Sequence, residues 1–308
     1  MLKTYTYSIN QFCSLFVSLG IAFLATTSRV SAQDLENVQI QTIPVTEGIY
    51  MLTGEGGNIG ISAGEDGVFL IDDQFAPLTE KICTAVSAIS NQPIRFLLNT
   101  HWHLDHTGGN ENLGRAGVVI VAHDNVRKRM RVDQFIEALN REIPASPPAA
   151  LPVITFNDTV TFHLNGGEIQ ALHVETAHTD GDSIIYFPDA DVIHTGDIYF
   201  SGMYPFIDVA SGGSIEGMIA AVERVLTMAG EQTKIIPGHG PLSNRAELLV
   251  YRDMLVTVRE RVKAAIAQEA SMEDFIASKP TADLDSTWGK GFLSPEQFLQ
   301  IVYTDLSR

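Results

Sequence analysis

Three histidines and one aspartate lie within six residues, in the segment HWHLDH at positions 101–106. The chain has 9 histidines among 308 residues, so a third of them fall in this segment. The turn-forming residues TGGN at 107–110 follow it, rather than an apolar helical face. Imidazole nitrogens and carboxylate oxygens are donors that suit zinc, and iron or manganese less decidedly. The segment therefore predicts a metal site.

The spacing within this segment predicts two sets of ligands. In an extended chain, residues i and i+2 point to the same side, so His101 and His103 can bind one ion together. If a helix begins near Asp105, neighbouring side chains diverge by about 100° per residue. Asp105 and His106 would then face a second ion beside the first.

Further ligands are expected at the ends of other predicted strands. His178, Asp197 and His239 each follow a short apolar run. Ligands of open α/β sheets bind at the carboxyl ends of strands, so these three side chains should meet the 101–106 segment at one edge. The remaining histidines have no such setting, and we interpret them as structural: His123, His163, His173 and His194.

Apolar periodicity predicts two similar halves, each with strands, then a helix, then a strand. In the first half, strands are predicted within 38–54, 58–72, 94–99 and 117–122, with helices at 79–90 and from about 124. In the second half, strands are predicted at 159–164, 168–176, 183–188, 191–197 and from 234, with helices at 214–229, after 244 and from 294. Two such halves packed sheet to sheet form a four-layer αβ/βα sandwich of the α/β class.

The first 32 residues have the pattern of a secretory signal peptide. Lys3 gives a basic start, residues 14–27 are mostly apolar, and the small residues VSA end the segment at 30–32. The apolar run is shorter than the roughly 20 residues that a membrane span needs. We therefore expect a single mature domain at 33–308, secreted or periplasmic and free of the membrane after cleavage.

Charge and cysteine content limit the classes of partner. The net charge is −17, and loss of the two positive charges at Lys3 and Arg29 makes it −19. So acidic a chain is not expected to bind nucleic acid or an anionic membrane. Cys83 would be the single cysteine after cleavage, and its helical apolar setting predicts a buried thiol. The composition leaves a small-molecule substrate as the expected partner and does not indicate an oligomeric state.

The segment HWHLDH, together with His178, Asp197 and His239, resembles the H-x-H-x-D-H signature of the metallo-β-lactamase superfamily. The resemblance covers nearly the whole mature chain and implies the αβ/βα sandwich. It implies that His101, His103 and His178 bind one zinc ion and that Asp105, His106 and His239 bind a second. It also implies that Asp197 bridges both ions. Asp72 resembles an aspartate that supports the ligands without binding metal, with neighbouring Asp73 as the alternative.

The resemblance further implies metal-assisted hydrolysis, in which two cations lower the pKa of a water so that hydroxide attacks a carbonyl carbon. Asp105 would be catalytic, orienting the nucleophile and moving a proton. The leading substrate class is a β-lactam or a related cyclic amide or ester. Alternatives are a lactonase or glyoxalase-II-like thioesterase, a mononuclear iron persulfide dioxygenase that uses His101, His103 and His178 alone, and a non-catalytic binding protein.

Several residues depart from the pattern of secreted β-lactamases. One subclass has cysteine where this chain has Asp197 and lysine where it has Phe200, so the group that pairs with a β-lactam carboxylate is missing there. Asp197 makes the site resemble glyoxalase-II-type thioesterases and acyl-homoserine lactonases. Tyr199 and Tyr204 are candidates either for oxyanion donors or for packing aromatics. The glycines of GEGGN at 54–58 indicate either a mobile hairpin or simple turn geometry.

Overall fold

A computed structural model describes residues 35–136 and 140–308, so the predicted signal peptide lies outside the described residues. The strands are β1 (Gln41–Thr46), β2 (Ile49–Thr53), β3 (Ile59–Gly64), β4 (Gly67–Ile71), β5 (Ile94–Asn99), β6 (Val119–His123), β7 (Gln134–Ile136), β8 (Arg141–Ile143), β9 (Ile154–Phe156), β10 (Thr159–Leu164), β11 (Gly167–His173), β12 (Ser183–Phe187), β13 (Val192–His194), β14 (Lys234–Ile236) and β15 (Ser243–Asn244). The α-helices are α1 (Thr79–Ile89), α2 (Leu104–Thr107), α3 (Asn110–Arg115), α4 (Asp124–Met130), α5 (Ile215–Met228), α6 (Arg245–Ala267), α7 (Met272–Ala277), α8 (Asp285–Trp288) and α9 (Pro295–Leu306).

The first half of the chain forms a seven-stranded sheet in the order β1-β2-β3-β4-β5-β6-β9. Strands β1 to β4 pair antiparallel, whereas β4, β5, β6 and β9 pair parallel. Helix α1 covers the outer face, where Ile82 and Val86 pack with Leu70 and Leu97. Burial on both faces explains why β4 has the continuous apolar sequence GVFLI.

The second half forms a six-stranded sheet in the order β10-β11-β12-β13-β14-β15. Only the β13–β14 pair of this sheet is parallel. Helices α5 and α6 cover its outer face, where Val222 and Leu255 belong to the same buried cluster as Ile184 and Ile193. The inner faces of the two sheets pack on each other through a third buried cluster. The order of layers is helix, sheet, sheet, helix, so the predicted αβ/βα sandwich is confirmed.

Two features of the fold differ from expectation. Strands β7 and β8 form a separate two-stranded sheet that the sequence did not predict, because each strand is only three residues long and so too short to show an alternating pattern. Cys83 is half-buried rather than fully buried, and burial raises the pKa of its thiol, with the Glu80 carboxylate adding to that effect. No helix of the described ranges is both long and apolar enough to cross a membrane.

Candidate metal centre

The 101–106 segment changes from extended chain to helix at the predicted point. His103 is the N-cap residue of α2 and has extended backbone angles, φ −65° and ψ 149°. The N–H of His106 then donates to the His103 carbonyl oxygen at 3.0 Å, which closes the first turn. The two ends of the segment therefore direct their side chains into different ligand sets.

The first ligand set consists of buried residues from three strand ends. His101 and His103 follow β5, His178 follows β11, and Asp197 follows β13. One donor atom from each of these four residues lies within 4.8 Å of the donors of the others. All four residues are buried. The structure thus brings together the ligands that the resemblance assigned to the first ion.

The second ligand set lies beside the first and is more open to solvent. It consists of Asp105 and His106 from α2 and His239 from the turn after β14, again with donor atoms within 4.8 Å of one another. The side chains of Asp105 and His239 are 27% and 21% exposed, whereas His106 is fully buried. The second ligand set is therefore the side of the centre that faces solvent.

The Asp197 carboxylate lies between the two ligand sets. Its Oδ2 atom is 3.8 Å from His101 Nε2 and 3.6 Å from His178 Nε2. Its Oδ1 atom is 3.1 Å from His106 Nε2 and 3.4 Å from His239 Nε2. One oxygen thus faces each set, which is the arrangement that a bridging carboxylate needs.

Hydrogen bonds on the far side of the rings show that these histidines fit a cation. His178 Nδ1 lies 2.8 Å from the Phe206 carbonyl oxygen, which can only accept, so His178 Nε2 presents a lone pair. His103 Nε2 lies 3.0 Å from the Asp208 carboxylate, so His103 Nδ1 also presents a lone pair. These two nitrogens are 2.8 Å apart and would repel unless a proton or a metal ion lay between them. His101 Nε2 is likewise buried without a hydrogen-bond partner among the described residues.

Residues 52–239, more than half of the chain, match the sequence model of the metallo-beta-lactamase superfamily. The chain belongs to this superfamily. A probable metallo-hydrolase of Bacillus subtilis is 28% identical over 161 residues, covering 48% of this chain and 69% of that relative. A hydroxyacylglutathione hydrolase of Haemophilus influenzae is 28% identical over 148 residues, covering the same two shares. The metallo-beta-lactamase from Pontibacter korlensis has a similar fold, with a TM-score of 0.57 and 20% identity over 70% of this chain and 99% of that chain. Membership of the superfamily confirms the prediction of a hydrolytic enzyme.

The aspartate with the supporting role in this superfamily member is Asp72. Its Oδ2 atom lies 2.8 Å from His106 Nδ1 and also accepts the Thr100 hydroxyl at 2.7 Å. Its Oδ1 atom accepts the Thr100 N–H. Since the Thr100 hydroxyl donates to Asp72, its oxygen can accept from His101 Nδ1 at 3.0 Å, which leaves His101 Nε2 free to bind a cation. The side chain of neighbouring Asp73 instead accepts the Gly109 N–H at the start of α3, and it makes no hydrogen bond to a candidate metal ligand.

Burial and neighbouring charges prepare the two ligand sets differently. Burial lowers the pKa of His178 to about 4, and it also holds the pKa of His101 well below its ordinary value. Burial alone would lower the pKa of His239, but the Asp197 and Asp105 carboxylates raise it to about 9. Burial would raise the pKa of Asp105, yet His106 and His239 hold it well below its ordinary value. His101 and His178 are therefore neutral and ready to bind a cation at pH 7, whereas protons compete with the cation at His239.

Asp208 is a supporting residue that sequence reasoning missed. It is buried, and its Oδ1 atom accepts the Ser211 N–H while its Oδ2 atom faces His103. Its backbone N–H also donates to the His178 carbonyl oxygen at 2.9 Å. Burial would raise the pKa of the Asp208 carboxyl, but its hydrogen bond to His103 lowers that pKa to about 2. The ionised carboxylate therefore keeps the proton of His103 on Nε2, which leaves the lone pair of Nδ1 free to bind a cation.

Replacing Asp208 with asparagine is expected to lower the affinity for the first metal ion by about 10- to 100-fold, because a neutral amide no longer selects this tautomer of His103. A competition titration against a chelating dye measures the affinity. Asp189→Asn is the matched control, since the exposed Asp189 also accepts a backbone N–H but touches no ligand. An unchanged affinity in Asp208→Asn would contradict this role.

The aromatic residues after Asp197 pack around the site, and their hydroxyl groups do not form an oxyanion site. The Tyr199 hydroxyl is 2.9 Å from Ser243 Oγ, and the Tyr204 hydroxyl donates to Asp285 at 2.8 Å. Both tyrosines are buried, so the structure favours the packing interpretation over oxyanion donation. The Phe200 ring stacks on His239 at 5.1 Å and 11°, where it supports that imidazole.

The glycines of the 54–58 segment are needed for close approach to the ligands. The Gly57 N–H donates to the Asp105 carbonyl oxygen at 3.1 Å, and Gln74 Nε2 donates to the Gly57 carbonyl oxygen at 2.7 Å. A Cβ atom at Gly57 would lie 2.1 Å from the His106 ring. The segment is therefore fastened to the second ligand set, which argues against the alternative of a mobile hairpin.

The remaining histidines lie outside both ligand sets, as interpreted from the sequence. His123 and His173 stack in parallel, with ring centroids 3.6 Å apart and an interplanar angle of 5°. His123 Nδ1 accepts the Asn125 N–H, and its Nε2 atom lies 3.1 Å from the Asn157 carbonyl oxygen. Burial, and then the charge that His173 can carry, lower the pKa of His123 to about 4. His123 is therefore neutral at pH 7.

This shift predicts acid destabilisation. The pKa of His123 is lower in the folded chain than its ordinary value of 6.5, so its stabilising effect is complete above pH 6.5 and is lost as the pH falls toward 4. We expect His123→Phe to flatten the dependence of the unfolding free energy on pH between 4 and 7, measured by urea unfolding with a chelator present. His163→Phe is the control because the His163 side chain is 74% exposed, and an equal flattening there would contradict the assignment.

Proposed function

We propose that this protein is a secreted or periplasmic hydrolase with two zinc ions that cleaves thioesters or lactones in preference to β-lactams. The observation that carries the proposal is the Asp197 carboxylate, which directs one oxygen to each ligand set. When bound, two such cations lower the pKa of a water molecule and polarise a carbonyl group. Imidazole and carboxylate donors suit zinc better than magnesium or calcium.

The chain's own residues provide the remaining functions. Asp105 is an ionised and partly exposed member of the second ligand set, so its carboxylate can accept a hydrogen bond from a water molecule and orient it. Asp72, Asp208 and Thr100 hold the tautomers of the histidine ligands before the substrate arrives. The enzyme therefore needs no serine or cysteine nucleophile.

The walls of the site support an ester or thioester substrate. Phe200 is buried next to the centre, with its ring stacked on His239 and its ring centroid 6.1 Å from that of His178. It offers no charge to pair with the carboxylate of a β-lactam. A similar relative is named as a hydroxyacylglutathione hydrolase, which agrees with a thioester substrate. The signal-peptide pattern of residues 1–32 is what favours β-lactams as the second candidate.

Metal analysis and a substrate panel test the proposal together. We expect two equivalents of zinc per chain after purification without chelators. We expect hydrolysis of a glutathione thioester or an acyl-homoserine lactone with a kcat/KM at least tenfold above that for a chromogenic cephalosporin. A faster cephalosporin reaction would favour the second candidate. One equivalent of iron together with oxygen consumption would instead support the mononuclear dioxygenase.

A further inference from the structure

His239 differs from the other histidine ligands in how its ring is held. The rings of His101, His103, His106 and His178 each have a polar partner on the nitrogen that faces away from the cation. Within the described residues, no such hydrogen bond holds the far nitrogen of His239, whose ring is supported by stacking on Phe200. The position of His239 must therefore come largely from the backbone of its turn.

That backbone is held by Asn58, which lies at the start of the first half's β3 hairpin. Asn58 Nδ2 donates to the carbonyl oxygens of Pro237 and Gly240, both at 2.9 Å. The backbone N–H of Asn58 donates to the carbonyl oxygen of Gly238 at 2.7 Å. Asn58 is only 4% exposed, so these bonds do not compete with bulk water. One residue thus fixes the carbonyl groups on both sides of His239.

Further hydrogen bonds of Asn58 and of the 237–240 turn connect them to the turn that carries Asp197. The carbonyl oxygen of His239 accepts the N–H of Ser201 at 2.8 Å, so every carbonyl of the 237–240 turn has a donor. On the other side, His194 Nε2 donates to the Asn58 carbonyl oxygen at 3.2 Å. His194 Nδ1 accepts the N–H of Gly196, the residue before Asp197, at 3.1 Å. Asn58 therefore connects the His239 turn to the Asp197 turn.

We propose that Asn58 is the positioning residue for His239 and thereby determines the affinity of the second metal ion. The inference rests on the proposed two-ion centre. Besides the bridging Asp197, His239 is the ligand that the second half of the chain gives to the second set, while Asp105 and His106 come from α2 of the first half. Asn58 belongs to the first half, so its carboxamide sets the distance at which His239 faces these two ligands.

The experiment is a stepwise titration of the metal-free full chain with cobalt(II), which reports each site through its visible absorption. The variants are Asn58→Ala, which removes the two side-chain donors, and Asn58→Asp, which places a carboxylate against two carbonyl oxygens. We expect the first equivalent to bind within twofold of the wild type and with the same spectrum. The second equivalent should bind about 10- to 100-fold more weakly.

Asn165→Asp is the matched control. Asn165 Nδ2 also donates two hydrogen bonds across the two halves, to Ser62 Oγ and the Gly67 carbonyl oxygen, each at 3.1 Å, but it contacts no ligand. This control should keep both equivalents even if its melting temperature falls.

Each other outcome overturns the inference. If the second equivalent is unchanged in the Asn58 variants, Asn58 does not position His239. If both equivalents weaken together, Asn58 supports the whole fold rather than one ligand. A wild-type chain that binds a single equivalent overturns the two-ion proposal itself, which distinguishes that failure from the failure of the inference.

Discussion

Replacing Asp197 with asparagine is expected to lower kcat/KM by at least about 1000-fold, equivalent to about 4 kcal/mol, on the substrate that the panel identifies. The amide keeps the shape of the carboxylate but loses the charge that faces both ligand sets. Oδ1 of Asp197 is 3.1 Å from His106 Nε2, and Oδ2 is 3.6 Å from His178 Nε2. Removing this charge should therefore weaken the binding of both metal ions rather than of one alone. Steady-state kinetics and metal content measure the two effects.

Asp283→Asn is the matched control for this substitution. Asp283 is an exposed carboxylate that pairs with Arg261, so its replacement should leave kinetics and metal content unchanged. If Asp197→Asn kept both metal ions and lost less than tenfold in kcat/KM, the bridging role would be wrong.

Replacing Gly57 with alanine is expected to remove the second metal ion and to lower kcat/KM by at least about 100-fold. The new Cβ atom would lie 2.1 Å from His106 Cε1 and 2.5 Å from its Nε2 atom, which is too close for any pair of heavy atoms. His106 is itself held by Asp72, so either the ring or the 54–58 segment must move. The first ligand set should keep its ion because Gly57 does not touch it.

The control for this prediction is Gly230→Ala. A Cβ atom there would meet only Thr233 Oγ1, at an ordinary contact distance of 3.7 Å. Metal content by elemental analysis distinguishes the two variants. Two equivalents of metal in Gly57→Ala would show that the segment moves away without disturbing His106.

Strand prediction succeeded where apolar patterning was strong and failed where the metal centre bends the chain. The predicted strands 94–99 and 159–164 have the same bounds as β5 and β10. The strand predicted at 168–176 ends earlier, at His173, and the chain then turns at Thr176, whose φ of 50° is incompatible with an extended strand. This departure brings His178 to the site. The segment predicted at 191–197 likewise leaves β13 and forms a 3-10 helix at Gly196–Ile198, which turns Asp197 toward both ligand sets.

The candidate donors of the metal centre and the supporting Asp72 could be proposed from the sequence, but the other supporting residues could not. Asp208 is 105 residues from His103, and Asn58 is 179 residues from Pro237. Buried polar side chains of this kind have no spacing rule, since their partners are set by how the two halves pack. Single hydrogen-bonding residues in turns are too common for composition or periodicity to select them.

The sequence by itself determined the chemistry of the donors, because a cluster of imidazoles and carboxylates after apolar strands has few other uses. It also determined the layered fold, since the apolar runs require two sheets with helices outside. Only the tertiary structure decided which nitrogen of each histidine faces the cation and which residues enforce that choice. Tautomers depend on hydrogen bonds to partners such as Asp208 and the Phe206 carbonyl, and those partners meet the ligands only when both halves are folded together.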